Sequence, residues 1–298
     1  MRIVVSGSTG LIGSALQPVL TRAGHEVVPL VRRAPGPAER AIQWDPERGT
    51  IDRSGLEGAD AVIHLAGENV FGRWTPAKKN RIRDSRVVGT HLVTEAIAGL
   101  QRRPRVLLAA SAVGYYGDRG DESLNEQSAP GEDFLAHVSR DWETATSGAL
   151  RAGVRVVNMR FGIALTPTGG ALAKMLPPFR LGLGGHVGSG NQYVSWIALD
   201  DLVAAITYVL ASDALVGPVN MTAPHPVTNR ELAKTLGRVL GRPAVVAVPG
   251  FALRMAFGAD SAELLESGQR VVPARLLGSG FRFRFETLES ALRGMLAP

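Results

Sequence analysis

Residues 2–13 read Arg2-Ile3-Val4-Val5-Ser6-Gly7-Ser8-Thr9-Gly10-Leu11-Ile12-Gly13, an apolar run followed at once by three evenly spaced glycines. The run predicts a buried strand, and the residues from Leu11 onward predict a helix, so the glycines fall in a strand-to-helix turn. In such a turn Gly7 permits the tight bend, Gly10 lets backbone approach a pyrophosphate, and Gly13 allows the helix to pack closely on its sheet. The helix start then offers unpaired N–H groups to an anion. Ser8, Thr9, Leu11 and Ile12 complete this set of candidate cofactor contacts.

Outward from that loop, short apolar runs alternate with helical patterns. Strands are predicted at Arg2–Ser6, Glu26–Val31, Ala61–Leu65, Arg105–Ala110 and Val154–Met159. Helices are predicted near Leu11–Ala23, Pro76–Leu100 and Phe134–Ala152, the second with Thr75 as N-cap and Pro76 at its first position. Runs rich in Val, Ile, Leu and Ala without strict alternation suit strands covered on both faces. The expected fold is therefore α/β, a Rossmann-type doubly wound parallel sheet over residues 1–163. Its second strand ends in Val31-Arg32-Arg33, where a carboxylate would select NAD. A guanidinium there attracts a 2′-phosphate instead, so NADP(H) is the expected cofactor.

After Arg160 the texture changes. Thr166–Gly190 holds seven glycines and three prolines, too irregular for a plain βαβ unit and suited to a binding loop or cap. Residues 164–298 are expected to form mainly a small substrate-capping lobe, with 191–222 returning to the core. Within them Asp200–Leu210 reads as a helix and Val219–Thr222 as a strand. Thr228 and Glu231 open a helix that Gly241 closes, and Val245–Val248 reads as a short strand.

The chain has no cysteine, which removes disulfides, thiolate metal sites and a cysteine nucleophile together. No metal site is expected. No apolar stretch reaches membrane-spanning length and no secretory signal follows Met1, so a cytoplasmic protein without a membrane partner is expected. The net charge of +6 comes from scattered residues without basic–aromatic clusters, which argues against nucleic acid.

Several stretches together resemble the extended short-chain dehydrogenase/reductase superfamily, and within it the atypical NADP-dependent oxidoreductase branch known as epimerase family proteins. They are the glycine loop, His64-Leu65-Ala66-Gly67-Glu68-Asn69, Ser85-Arg86, Tyr115-Tyr116-Gly117, Asp133-Phe134-Leu135-Ala136, Trp142-Glu143, Arg180–Gly190 and Ser195-Trp196-Ile197. The resemblance spans nearly the whole chain. It implies that His64, Leu65, Ala66, Gly67 and Arg86 line the cofactor path, Arg86 standing where the superfamily has an asparagine. It also implies that Arg160, Gly162 and Ile163 border the nicotinamide. A homodimer is left open.

One departure bears on chemistry. The superfamily's Tyr-x-x-x-Lys pair aligns on Leu135 and Ser139, neither of which can supply an activated phenol. Ser111 corresponds to the usual catalytic Ser or Thr. Tyr115 and Tyr116 follow it as the substitute acids, one facing the pocket while the other packs. Glu68, Asn69, His186 and Gln192 are the candidates for substrate polar groups. The implied activity is hydride transfer to or from a small polar carbonyl, alcohol or sugar-derived substrate. The alternative is a non-catalytic protein that senses NADPH.

Overall fold

The apolar runs pair edge to edge in a computed structural model that describes residues 1–36, 38–251, 255, 258 and 266–297. In chain order the elements of the first half are β1 (Arg2–Ser6), α1 (Leu11–Arg22), β2 (Glu26–Val31), β3 (Ile42–Asp45), β4 (Thr50–Ile51), α2 (Arg53–Leu56), β5 (Ala61–His64), α3 (Pro76–Ala98), β6 (Val106–Ala112) and β7 (Ser123–Leu124). Then come α4 (Phe134–Thr144), α5 (Ser147–Arg151), β8 (Arg155–Phe161), β9 (Ile163–Thr166), α6 (Gly170–Arg180), β10 (Tyr193–Val194), β11 (Trp196–Ala198), α7 (Leu199–Ala211) and β12 (Gly217–Met221). The chain closes through β13 (Val227–Thr228), α8 (Asn229–Leu240), β14 (Arg270–Val271), α9 (Ala274–Gly278) and α10 (Leu288–Leu296).

The main sheet has the order β12-β8-β6-β5-β1-β2-β3-β4, parallel throughout except for the antiparallel edge strand β4. Strand order reverses between β1 and β5, the switch point at which such sheets open a crevice beyond their C-terminal ends. Strand residues alternate between two cores. Ile3 and Val5 meet Leu16 and Leu20 of α1 and Leu202 and Ile206 of α7. Val4 and Val62 meet Val93 and Ile97 of α3 and Ala149 of α5 on the other face. Each such fully buried side chain contributes about 1.5–3 kcal/mol, which is why the sheet needs helices on both sides.

A third core joins α6, α8, α10 and β11 into a lobe beside the sheet, with Trp196, Leu172, Leu236 and Leu292 fully buried. Thr228 and Glu231 form the expected capping box, and Gly241 takes the left-handed conformation that ends α8. The lobe is tied back by Asp201 of α7, whose buried carboxylate accepts the N–H groups of Arg284 at 2.8 Å and Phe285 at 2.9 Å.

Three expectations are corrected. The helix expected over Phe134–Ala152 is two, because Thr94 Oγ1 of α3 donates to the Ala145 carbonyl at 2.9 Å and diverts it from the helical ladder. Val245–Val248 is not a strand; only an isolated bridge joins Val248 to Val187. The glycine-rich stretch contains a real helix, α6, with Pro177 and Pro178 inside it. Among the described residues no helix is long and apolar enough to cross a membrane.

Candidate functional site

The glycine loop divides its work among its three glycines. Gly7 sits at φ +66°, and a Cβ there would lie 2.8 Å from the Leu65 carbonyl carbon. A Cβ on Gly13 would run into the Gly7 carbonyl and lie 2.8 Å from Ser8 Cα. Both positions are therefore closed by backbone. Gly10 is different: its Cβ would meet only the Gly7 oxygen, at 3.2 Å, with open space otherwise. No side chain caps α1 and its first turn holds no acidic residue, so the first N–H groups remain available to an anion. Ser8 is buried and its carbonyl accepts from Gln17 Nε2 at 2.7 Å.

Beneath the loop, Ser6 Oγ accepts the N–H groups of Leu65 and Ala66 at 3.1 and 3.2 Å. Its hydrogen is thereby directed to His64 Nδ1, 2.7 Å away. His64 is wholly buried, edge-on to Trp44, and its Nε2 has no hydrogen-bond partner among the described residues. It presents nothing to the crevice; its part is to lock the ends of β1 and β5 together. Burial pushes the His64 imidazole down to about 4. The unfolded chain takes up that proton near pH 6.5 and the folded one only near 4, so stability present above about 6.5 drains away as pH falls through this window. We expect a loss of about 2 kcal/mol between pH 7 and 4.5, absent in His64→Asn and read from urea midpoints at the two pH values. Equal pH dependence in parent and variant would refute it.

Beyond Val31 at the end of β2, the two arginines part company. Arg33 is engaged bidentately by Glu39, at 2.7 and 2.5 Å. Arg32 makes no ion pair among the described residues and is exposed. The sequence did not separate the two, because the partner carboxylate lies on the following loop.

A cleft of about 1050 Å³ opens between the C-terminal strand ends and the lobe. Its walls include Arg86, Ala112, Leu135, Ser139, Phe161, Gly162, Ile163 and Gln192. Leu135 and Ser139 thus stand together on this wall, where the superfamily's tyrosine and lysine are expected. Close packing at Gly162 is obligatory, since a Cβ would lie 2.9 Å from Thr222 Cγ2. Gln192 Nε2 donates to the Val187 carbonyl at 3.0 Å.

Ser111, Tyr115, Tyr116 and Arg160 are not on that wall, and here the structure departs from expectation. Ser111 faces away from the cleft because successive residues of β6 alternate, which leaves Ala112 at the cleft. Its hydroxyl donates to Glu143 Oε1 at 2.7 Å. Arg160 Nε and Nη2 clasp the same carboxylate at 2.7 and 2.8 Å, and Nη1 donates to the Tyr116 hydroxyl at 2.9 Å. That hydroxyl in turn donates to Asn220 Oδ1 at 2.7 Å. Burial pushes the Tyr116 phenol up to about 12, and its hydroxyl is spent on both sides. Tyr115 lies with its ring 3.5 Å from the Arg160 guanidinium and edge-on to Tyr116, over a small core with Leu124 and Val271. These groups form a buried polar brace across β6, α4, β8 and β12 rather than an acid at the cleft. Asn220 and Glu143 had a sequence signal, a polar residue inside an apolar strand and a carboxylate beside Trp142.

The remaining candidates are spoken for in part. Glu68 binds Lys78 at 2.6 Å and Arg81 at 3.6 Å, and Lys78 holds its carboxyl below the usual range. Asn69 Oδ1 accepts the Phe71 N–H at 2.9 Å. His186 lies off the cleft against Gly190, lowered by burial and by Arg230 and Lys234. Gly67 is packed beside the Arg86 guanidinium, 3.6 Å from where its Cβ would be.

The family model for the NAD dependent epimerase/dehydratase family matches residues 3–221, and that of a domain of unknown function, DUF1731, matches residues 248–295. An epimerase family protein of Mycobacterium bovis is 44% identical over 97% of this chain and 96% of its own. The Bacillus subtilis epimerase family protein YfhF is 39% identical over 100% of this chain and 98% of its own. Among solved structures, the human epimerase family protein SDR39U1 with NADPH superposes with a TM-score of 0.90 at 36% identity, covering 99% of both chains.

Proposed function

The chain belongs to the NAD-dependent epimerase/dehydratase family, and from that premise we propose that it is an NADP(H)-dependent oxidoreductase acting on a small polar carbonyl compound. One observation carries this reading: a glycine turn that leaves α1 without a side-chain cap follows β1, and Arg32, which makes no ion pair among the described residues, follows the adjacent β2 at the same end of the sheet. The NADPH of the human relative's structure agrees with it. The α1 amides would take the pyrophosphate and Arg32 the 2′-phosphate, while Phe161, Gly162 and Ile163 would wall the reactive end.

The cofactor, when bound, supplies the hydride. The protein's own contribution is to orient and polarise. Ser139 and Arg86 on the cleft wall can donate hydrogen bonds to a carbonyl oxygen, and neither is a base near neutral pH. That suits reduction of a carbonyl better than oxidation of an alcohol. Hydride transfer is the step to test, by following NADPH absorbance against a panel of aldehydes and ketones.

Cofactor choice is open to a direct check. Calorimetric titration should give NADPH an affinity about tenfold or more above that of NADH, and Arg32→Asp should narrow or invert the ratio. Equal affinities in the parent would remove Arg32 from the site. Because Arg33 is held by Glu39, Arg33→Ala should change the ratio less than Arg32→Ala.

A further inference from the structure

We propose that Arg86 is the receptor for an anionic group of the substrate, so that the cleft takes a carbonyl compound bearing a carboxylate or phosphate. This rests on the cofactor reading above and deepens it. Arg86 lies on the cleft wall, half-buried, and among the described residues no carboxylate forms an ion pair with it. The nearest acid, Glu68, is already taken by Lys78 and Arg81. The attraction of Glu68 reaches Arg86 but is shared with Lys78 and Arg81, so three cations face one carboxylate and an anionic ligand would redress the balance.

The guanidinium is also held still. Its Nη1 donates to the carbonyls of Glu68 at 3.0 Å and Ile82 at 3.1 Å. Its Cζ lies over the Trp142 ring, 5.0 Å from the centroid, and Trp142 is itself pinned by Nε1 donating to Thr90 Oγ1 at 2.8 Å. Nε and Nη2 make no hydrogen bond among the described residues, which leaves an edge suited to two oxygens of an oxyacid. Leu135, Ser139 and Trp142 follow at i, i+4 and i+7 on one face of α4. Arg86, packed on Trp142, thus shares the cleft wall with Leu135 and Ser139, so an anionic group of a substrate bound along that wall would meet it. The cleft lining also holds the acids Asp118, Glu132, Asp133 and Glu266, while Lys79 and Arg119 line it with Arg86 on the basic side. Of these acids, Asp118 accepts the Gly120 N–H at 3.1 Å, Asp133 the Ala136 N–H at 2.8 Å, and Glu132 faces His137 at 3.1 Å.

The test titrates NADP⁺-saturated protein calorimetrically with phenylpyruvate, with benzyl methyl ketone, which replaces its carboxylate by methyl, and with phenyl phosphate. The parent should bind at least one anionic probe about tenfold more tightly than the neutral ketone, and which one it prefers separates carboxylate from phosphate. Arg86→Met should erase that advantage and leave NADPH affinity within about twofold of the parent. Arg86→Lys, which keeps the charge on a tryptophan face but not the fork, should fold if Met does not and retain only part of the advantage. Equal binding of anionic and neutral probes by the parent overturns the proposal, as does an anion preference that survives both substitutions. A fall in NADPH affinity with the probe preference intact would assign Arg86 to the cofactor and overturn it as well. Failure of the parent to bind NADPH is a separate result that sinks the cofactor reading.

Discussion

Arg160→Met is expected to destabilise the protein by about 3–5 kcal/mol, because it leaves the Glu143 carboxylate buried with only the Ser111 hydroxyl for company. Arg160 and Glu143 side chains retain 3% and 12% of their exposure, so neither charge has water to fall back on. The same substitution strips a donor from the Tyr116 hydroxyl and the cation from the Tyr115 ring. Glu143→Gln in the Arg160→Met background removes the stranded charge and should recover a large part of the loss, a coupling that independent sites would not show. Urea midpoints of the two single variants and the double variant decide it. Simple additivity, or a loss below about 1 kcal/mol for Arg160→Met, would mean that the brace does not act as a unit.

The second large effect is on binding. Gly10→Val should lower NADPH affinity by about 100-fold or more, since the amide–anion bonds it obstructs are worth about 1.5–3 kcal/mol each. The fold should survive. Gly10 has φ −76° and ψ 174°, an extended conformation open to any residue, and its Cβ meets only one neighbouring atom within 4 Å. The same change at Gly7 or Gly13 confounds the two, because backbone atoms already occupy the space. Calorimetry with NADPH, together with thermal unfolding in its absence, separates binding from folding. If NADPH binds Gly10→Val as it binds the parent, the glycine loop is not the phosphate site.

The site was legible in uneven measure. The glycine loop could be read directly because its three glycines answer local demands of one turn within seven residues. The ends of β5 and β8 could be placed as strand ends, but not the direction of each side chain. Ser111 illustrates the difficulty: alternation along β6 turns its hydroxyl from the cleft to Glu143, and a shift of one residue in register reverses that conclusion. Arg32 and Arg33 are neighbours of the same type. Only the path of the following loop, which brings Glu39 to one of them, tells which cation stays free.

Taken alone, the sequence determined the parallel α/β architecture, the glycine turn between β1 and α1, and the capping of α3 and α8. These follow from local periodicity and from glycine and cap chemistry. Tertiary structure decided which polar groups are spent and which remain open. Tyr116, Asn220, Glu143 and Arg160 lie far apart in the chain, yet their hydrogen bonds close on one another in the interior. Arg86, which lines the cleft, makes no ion pair among the described residues, while Glu68 pairs with Lys78 and Arg81. A buried donor must find an acceptor or pay the full cost of desolvation, and which acceptor it finds depends on which elements pack together, a long-range matter that no local pattern of residues encodes.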